Sequence, residues 1–406
     1  MEFRRLEDGR VACPFDHHSK EFGERPFEFF DEMREQGPLV WSEEHGGFWV
    51  TLSHSLTRRL AMDSETFSVA QGPDRVGGIN IPARPGAKLR PLFVPGEAEG
   101  DDHENYRLAL NPWFSKQRVQ EMRPLIEKHV SNAIDRILEK GEFDVVGDYV
   151  GPLLASIACE HLGLEVEHPR QFFFDLFGIV SYFGASDGLT DVRSKFEAAW
   201  KVVGDTVADR RINPRDDLIS HLAQFSTPRF SDEEVKSMTL NVILGSADTT
   251  SALIGQAVMF LNDRPDVRQQ LTEQPELIRP AVEEFLRLFH VTTGLGRTVT
   301  RDIEVEGVTM KEGDRLLLGF TAANKDPERY AHPYEFDLNR GSALHLAMSV
   351  GTHFCLGAHL AKAIAEVSIR QLLERVPNFH ADRSRSESNE DKNSLNHWQR
   401  IPATIA

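Results

Sequence analysis

Gly351-Thr352-His353-Phe354-Cys355-Leu356-Gly357 leads into a run in which Leu356, Leu360, Ile364, Val367, Leu372 and Val376 recur at three- to five-residue intervals. That spacing predicts a long helix with one buried face, with Cys355 at its N-terminus. Free backbone N–H groups and the positive end of the helix dipole gather there. Both favour an anion, which biases the thiol towards thiolate, the form that binds metals. A helix end supplies only ~0.3–2 kcal/mol of such bias, so a metal cation has to provide most of it. The other reading of a lone cysteine at this place is a small buried apolar residue.

Working outward, the chain has 406 residues, 40% of them apolar and 27% charged, which is enough to bury a large core. Its 46 basic and 63 acidic residues give a net charge of −17, which opposes nonspecific binding to nucleic acid or an anionic membrane surface. The first residues, Met1-Glu2-Phe3-Arg4-Arg5-Leu6-Glu7-Asp8, lack the apolar core of a signal peptide. The longest nearly apolar run, Ala252 to Leu261, falls well short of a membrane span of ~20 residues. Cys13, Cys159 and Cys355 are too few and too scattered for a disulfide framework. A cytoplasmic protein without a membrane anchor is expected.

The patterning predicts one mainly α domain, residues 1–406, with small β-sheets. Leu39-Val40-Trp41 and Phe48-Trp49-Val50-Thr51-Leu52 flank Gly46-Gly47, a hairpin signal. Residues 71–98 are rich in Gly and Pro and read as a long loop, a kind of segment that often carries function. Helical periodicity dominates from about 103 to 260. Its clearest instance starts at Ser231, whose capping box with Glu234 opens an apolar-rich segment through Asn262. Pro265, Pro275 and Pro280 then punctuate two shorter helices. Short strands are expected around Ile303–Val305, Val308–Met310 and Leu316–Leu318, and an exposed loop over Ser384–Asn393.

Leu244-Gly245-Ser246-Ala247-Asp248-Thr249-Thr250, in the middle of the long helix, is unusual for a buried segment. Gly costs up to ~1 kcal/mol there relative to Ala, and a buried Asp needs a partner. One account is a mild bend with Thr249 bonded back to the carbonyl of Gly245. The other is a groove that holds a diatomic ligand and waters against Thr249, with Asp248 relaying protons. Further on, Glu284 and Arg287 stand three apart among Val282, Phe285 and Leu286, a setting for a buried ion pair that locks the fold.

Together these segments resemble the soluble bacterial type of cytochrome P450, the haem-thiolate monooxygenases. The family's haem loop has the pattern Phe-Gly-x-Gly-x-His/Arg-x-Cys-x-Gly; here Gly351, His353, Cys355 and Gly357 match, while Met348 and Ser349 depart from it. Its Glu-x-x-Arg pair matches Glu284 and Arg287, with Arg340 as the expected third member, and its acid–alcohol pair matches Asp248 and Thr249. The resemblance implies haem b, held between the long helix and the cysteine helix with the Cys355 thiolate on the iron, and O2 as co-substrate. His103, Arg107, Arg297 and His353 would receive the haem propionates, and Gly357 belongs to the same binding loop.

By the same resemblance, Asp248 and Thr249 would be catalytic, handling protons during O2 activation. Asn241, Leu244, Gly245, Val291, Thr292, Gly294 and Leu295 would line the substrate pocket, roofed by the 71–98 loop and by Phe172, Phe173, Phe174, Phe177, Tyr182 and Phe183. An apolar small organic substrate, hydroxylated or O-dealkylated, is expected. Electrons would come from a separate ferredoxin with its NAD(P)H-dependent reductase, docking near Lys116, Arg118, Arg123, Lys128 and Lys362. A haem protein that only binds or senses gas is the alternative, although passive binding needs no proton relay. Zinc at Cys355 with His359, or at Cys13 with His17 and His18, lacks the four ligands of a closed structural site.

Overall fold

A helix over Asp232–Asp263 forms the axis of the molecule, which was analysed as a computed structural model describing residues 1–71, 78–81, 92–176, 189–289, 291–340, 345–388 and 395–405. The Ser231 hydroxyl accepts from the Glu234 N–H at 3.2 Å, and the Glu234 carboxylate accepts from the Ser231 N–H at 2.8 Å. Two orphan donors are thereby satisfied reciprocally. Asp232, Glu233 and Glu234 in the first turn also complement the helix dipole. The 32 residues cover roughly 48 Å at the usual rise. Along that length Val235, Leu240, Ile243, Ala247, Leu253, Ala257 and Leu261 are buried against helices over Gly151–Leu162, Leu189–Ile212 and Ala358–Arg375.

A smaller lobe carries a seven-stranded sheet in the order Arg4–Arg5, Val11–Cys13, Leu39–Ser42, Phe48–Thr51, Arg315–Leu318, Leu295–Val299, Phe67–Ser68. The expected hairpin is present, Leu39 facing Thr51 and Ser42 facing Phe48 in antiparallel register. Its turn includes a short 3-10 segment over Glu44–Gly46, with His45, Gly46 and Gly47 at φ of 54°, 84° and 94°. Ile303–Val305 and Val308–Met310 pair with each other through Glu306 and Gly307, both at positive φ. Arg315–Leu318 does not continue that hairpin; it joins the large sheet, parallel to Phe48–Thr51 and antiparallel to Leu295–Val299.

The loop region around 71–98 is described only in part, with 72–77 and 82–91 outside the described residues. What is described is tied down. Gly296 N–H donates to the Ile79 carbonyl at 2.7 Å, Arg315 reaches the Gly78 and Asn80 carbonyls, and the Ser237 hydroxyl donates to the Leu92 carbonyl. Of the proposed aromatic roof, Phe177, Tyr182, Phe183 and the Phe174 side chain lie outside the described residues, and so do 389–393 of the Ser384–Asn393 loop. Phe173 is buried in the main core, and Phe172 packs at its margin.

Glu284 and Arg287, on a helix over Ile278–Leu288, form a two-armed ion pair at 2.8 and 2.7 Å. Arg340 joins Glu284 at 3.1 Å, and the two guanidinium groups also donate to the carbonyls of Asn324, Ala331, His332, Pro333 and Glu335. With Glu284 and Arg287 buried and hydrogen-bonded on every arm, the desolvation of the charges is offset and the segment 324–340 is pinned to the helix. That segment leads directly towards the cysteine loop.

Candidate functional site

The long helix after Cys355 begins later than the periodicity predicts. It covers Ala358–Arg375, with Gly357 as its N-cap, and Cys355 sits in the turn that precedes it. The apolar spacing could not reveal this, because Leu356 packs against the core from the turn as well as a helical residue would. Backbone bonds fix the turn: the Cys355 N–H donates to the Met348 carbonyl at 2.9 Å, and the Phe354 N–H to the Gly351 carbonyl at 3.0 Å. Gly351 has φ +72°, and a Cβ there would lie 3.2 Å from the Met62 Cα, so glycine is needed twice over.

In the protein alone, burial pushes the Cys355 thiol up, and the Gly357 N–H, Arg107 and Lys362 only partly oppose this. The backbone end is therefore insufficient to make a thiolate, and a bound cation must supply the difference. Cys13 and Cys159 are deeply buried and both pushed up to about 12 by desolvation, which fits packing roles. Cys355 differs in being only half-buried.

Around this thiol the structure gathers the four residues expected to receive the propionates, two arginines and two histidines. His103 and Arg107 lie one turn apart on a helix over Gly100–Leu110, and Arg107 donates to the Phe354 carbonyl at 3.1 Å. The His103 and His353 rings are 4.6 Å apart. Burial, reinforced by Arg297, His103 and Arg107, pushes His353 down to about 3. His103 is lowered by burial and by Arg107. Arg297, on the sheet strand and 1% exposed, is pushed down to about 10 by burial and by neighbouring Arg315, against the pull of Glu99.

Among the described residues these groups form no ion pair with a carboxylate. Arg297 Nη2 and His353 Nε2 are buried polar atoms with no hydrogen-bond partner, and each such group costs ~1–3 kcal/mol. Glu99, the acid nearest Arg297 in effect, is already held by the Ser68 hydroxyl at 2.7 Å and the Val69 N–H at 2.6 Å. A cofactor that brings two carboxylates and a metal ion beside the thiol satisfies every one of these deficits. Gly357 and Gly245 fit as well, since a Cβ at either would meet nothing within 4 Å. Arg315, half-buried beside Arg297, is a further cation that sequence reasoning missed, but it is already bonded to the Thr298 hydroxyl and the Gly78 and Asn80 carbonyls; as one residue of a β-strand it carries no distinguishing signal.

On the central helix, Thr249 donates to the Gly245 carbonyl at 2.7 Å, as the bend account expects. Asp248 is 1% exposed, whereas Thr249 is half-buried. Consecutive helical residues point about 100° apart, so the two side chains do not share a face. Leu244 and Val291 are buried in the main core, and Asn241 lies beside Gly96 of the 71–98 region. Thr292 bridges to Leu395, while Leu295 packs on the sheet lobe's core. A Cβ on Gly294 would lie 2.4 Å from the Leu318 carbonyl, so close strand packing by itself demands that glycine.

The proposed basic patch is largely neutralised. Arg118 pairs with Glu121 and Asp216, Arg123 with Glu127 and Glu366, Lys128 with Glu160, and Lys362 with Glu283. Lys116 forms none of these pairs. Phe354, Leu108 and Met62 are instead exposed apolar side chains around the cysteine loop.

Comparison with known proteins agrees with this chemistry. The family profile described as Cytochrome P450 matches residues 109–398. A Mycobacterium tuberculosis protein named as cytochrome P450 140 is 31% identical over 402 residues, covering 94% of this chain and 89% of the relative. Cytochrome P450 130 of the same species is 30% identical over 347 residues, 83% and 84% of the two chains. The crystal structure of P450BioI in complex with an acyl carrier protein carrying hexadec-9Z-enoic acid superposes with a TM-score of 0.86 at 24% identity, over 95% of this chain and 100% of that one. A thiol that needs a metal, beside buried donors that need acceptors, thus occurs in a chain that belongs to the cytochrome P450 family of haem-thiolate monooxygenases.

Proposed function

We propose that this monooxygenase inserts one oxygen atom into an apolar small organic molecule, by hydroxylation or O-dealkylation, with electrons from a separate ferredoxin and its NAD(P)H-dependent reductase. Bound haem supplies reductive activation of O2, with the thiolate pushing electron density towards O–O cleavage. Cys355 is the iron ligand, and His103, Arg107, Arg297 and His353 hold the propionates. The observation that carries this assignment is the pair of orphaned buried atoms, Arg297 Nη2 and His353 Nε2, inside a cluster of arginine and histidine side chains next to the thiol.

The Thr249 hydroxyl spends its proton on the Gly245 carbonyl, so its oxygen is left as an acceptor for a protonated group in the pocket. Asp248, buried on the adjoining face, delivers protons by moving its side chain or through water. Asn241, Leu244, Gly245, Val291, Thr292, Gly294 and Leu295 supply a mainly uncharged lining, which favours apolar substrates over strongly charged ones. A cytoplasmic location follows from this supply of electrons. Among the described residues no helix is long and apolar enough to cross a membrane.

One optical measurement tests the assignment. The reduced carbon monoxide complex should show the red-shifted Soret band of thiolate ligation, and Cys355→Ser should lose it; a histidine-type spectrum in the parent rejects Cys355 as ligand. Terpenoids, fatty acids and small aromatics that displace the iron-bound water would then define the substrate class, and strong preference for charged compounds would refute an apolar pocket. Turnover of any of them distinguishes an oxygenase from a gas-binding haem protein.

A further inference from the structure

The small lobe brings together histidines that take no part in the haem site. Asp16 and His17 lie in the turn between the Val11–Cys13 strand and the helix over Lys20–Glu24, and His45 lies on the tip of the Leu39–Thr51 hairpin. One ligand atom from each of Asp16, His17 and His45 lies within 4.8 Å of the other two. His45 Nε2 is 2.7 Å from Asp16 Oδ1. The His17 ring stands 5.7 Å from that of His45 and 4.1 Å from that of His18, whose Nε2 is bound to the Ile81 carbonyl at 2.7 Å.

One feature beyond proximity singles out this cluster. His17 is 4% exposed, and its Nδ1 is buried without any hydrogen-bond partner. A packing role against Phe48, 5.2 Å away, explains the ring but not the unsatisfied nitrogen. Cys13 takes no part, because its sulfur faces Met33 in the core.

We propose that Asp16, His17 and His45 bind a divalent first-row transition ion of the zinc class, separate from the haem iron, as a clip between the N-terminal turn and the hairpin tip. Two imidazoles and a carboxylate are a zinc-type donor set, with the fourth position left to water. The Asp16 carboxylate is oriented by the His18 N–H at 2.7 Å, which supplies the outer support that metal ligands usually have.

The test uses the untagged, haem-loaded full chain, dialysed against chelator and titrated with zinc chloride by calorimetry, with bound metal counted by elemental analysis. One zinc per chain beyond the iron is expected. His45→Gln and Asp16→Asn should each weaken it by at least about tenfold, while His332→Gln, at an exposed histidine elsewhere, should leave it unchanged. The haem spectrum should be the same in all of them, which separates this site from the haem assignment. No zinc retained above background, or equal affinity in His45→Gln, overturns the proposal. Because His45 is at the surface, its variant reports on binding even if replacing buried His17 disturbs folding.

Discussion

Thr249 and Ser349 each hold a hydroxyl in a place where its geometry has consequences. Thr249→Ala removes the acceptor beside Gly245 without touching the core, so the enzyme should still bind substrate and consume reductant but release hydrogen peroxide in place of product. Asp248→Asn should slow turnover by tenfold or more, the scale of general acid catalysis, with substrate affinity intact. Reductant consumed, peroxide and product measured together check both, and unchanged coupling or rate removes the residue from the proton path. Ser349 stands where the family pattern has glycine, and the structure shows why glycine belongs there: φ is +57°. Its hydroxyl is also buried without a partner. Ser349→Gly should therefore stabilise the cysteine loop by about 1 kcal/mol, the left-handed and unpaired-hydroxyl costs outweighing the added chain entropy. Urea unfolding checks this; a lower midpoint in the variant contradicts it.

At the scale of elements, the central helix trades stability for space at Gly245. A methyl group there meets nothing within 4 Å, and Ala gains up to ~1 kcal/mol of helix propensity over Gly. Gly245→Ala should unfold at higher denaturant yet bind substrate or O2 more weakly, because the methyl projects into the open side of the helix. A variant that is more stable with unchanged turnover would show that the gap is not used. The cysteine helix is anchored to the acid–arginine helix through Glu283. Burial alone would raise this carboxyl, but hydrogen bonds from His345 at 3.0 Å and Lys362 at 2.9 Å hold it down at about 2. A carboxylate lowered from 4.5 stabilises the fold above pH 4.5 and loses that contribution as pH falls towards 2. The loss is on the order of 2–3 kcal/mol after allowing for partial solvent screening. The stability gap between parent and Glu283→Gln should shrink across that window, and a gap independent of pH contradicts the pairing. The central helix could be read from the chain because cap, period and length agree. The start of the cysteine helix could not, since an apolar residue in a turn obeys the same spacing as one in the first turn of a helix.

Across the whole molecule, the surface proposed for an electron-donating partner carries less free charge than charge counting suggests. The cations expected to attract an acidic ferredoxin are mostly spent on neighbouring carboxylates, whereas Leu108 is 58% exposed on the helix whose Arg107 reaches the Phe354 carbonyl. Contact there should depend on apolar area more than on steering. Leu108→Asp should reduce the rate of the first electron transfer severalfold with little change in substrate affinity, checked by stopped-flow reduction; an unchanged rate moves the docking face elsewhere. The four residues proposed to hold the propionates come from distant segments and were identifiable only by resemblance, because no local period links His103 to Arg297 or His353. Sheet pairing was equally hidden. Trp49 donates its indole N–H to the Asp314 carboxylate at 2.9 Å across 265 residues, beside the parallel pairing of Trp49 with Leu316. During synthesis at about 5–20 residues per second, the early hairpin must therefore wait some tens of seconds for the strand that completes it. Until then its open edge is a target for wrong pairing, so chaperone dependence and slow recovery after denaturation should trace to this lobe before the helices.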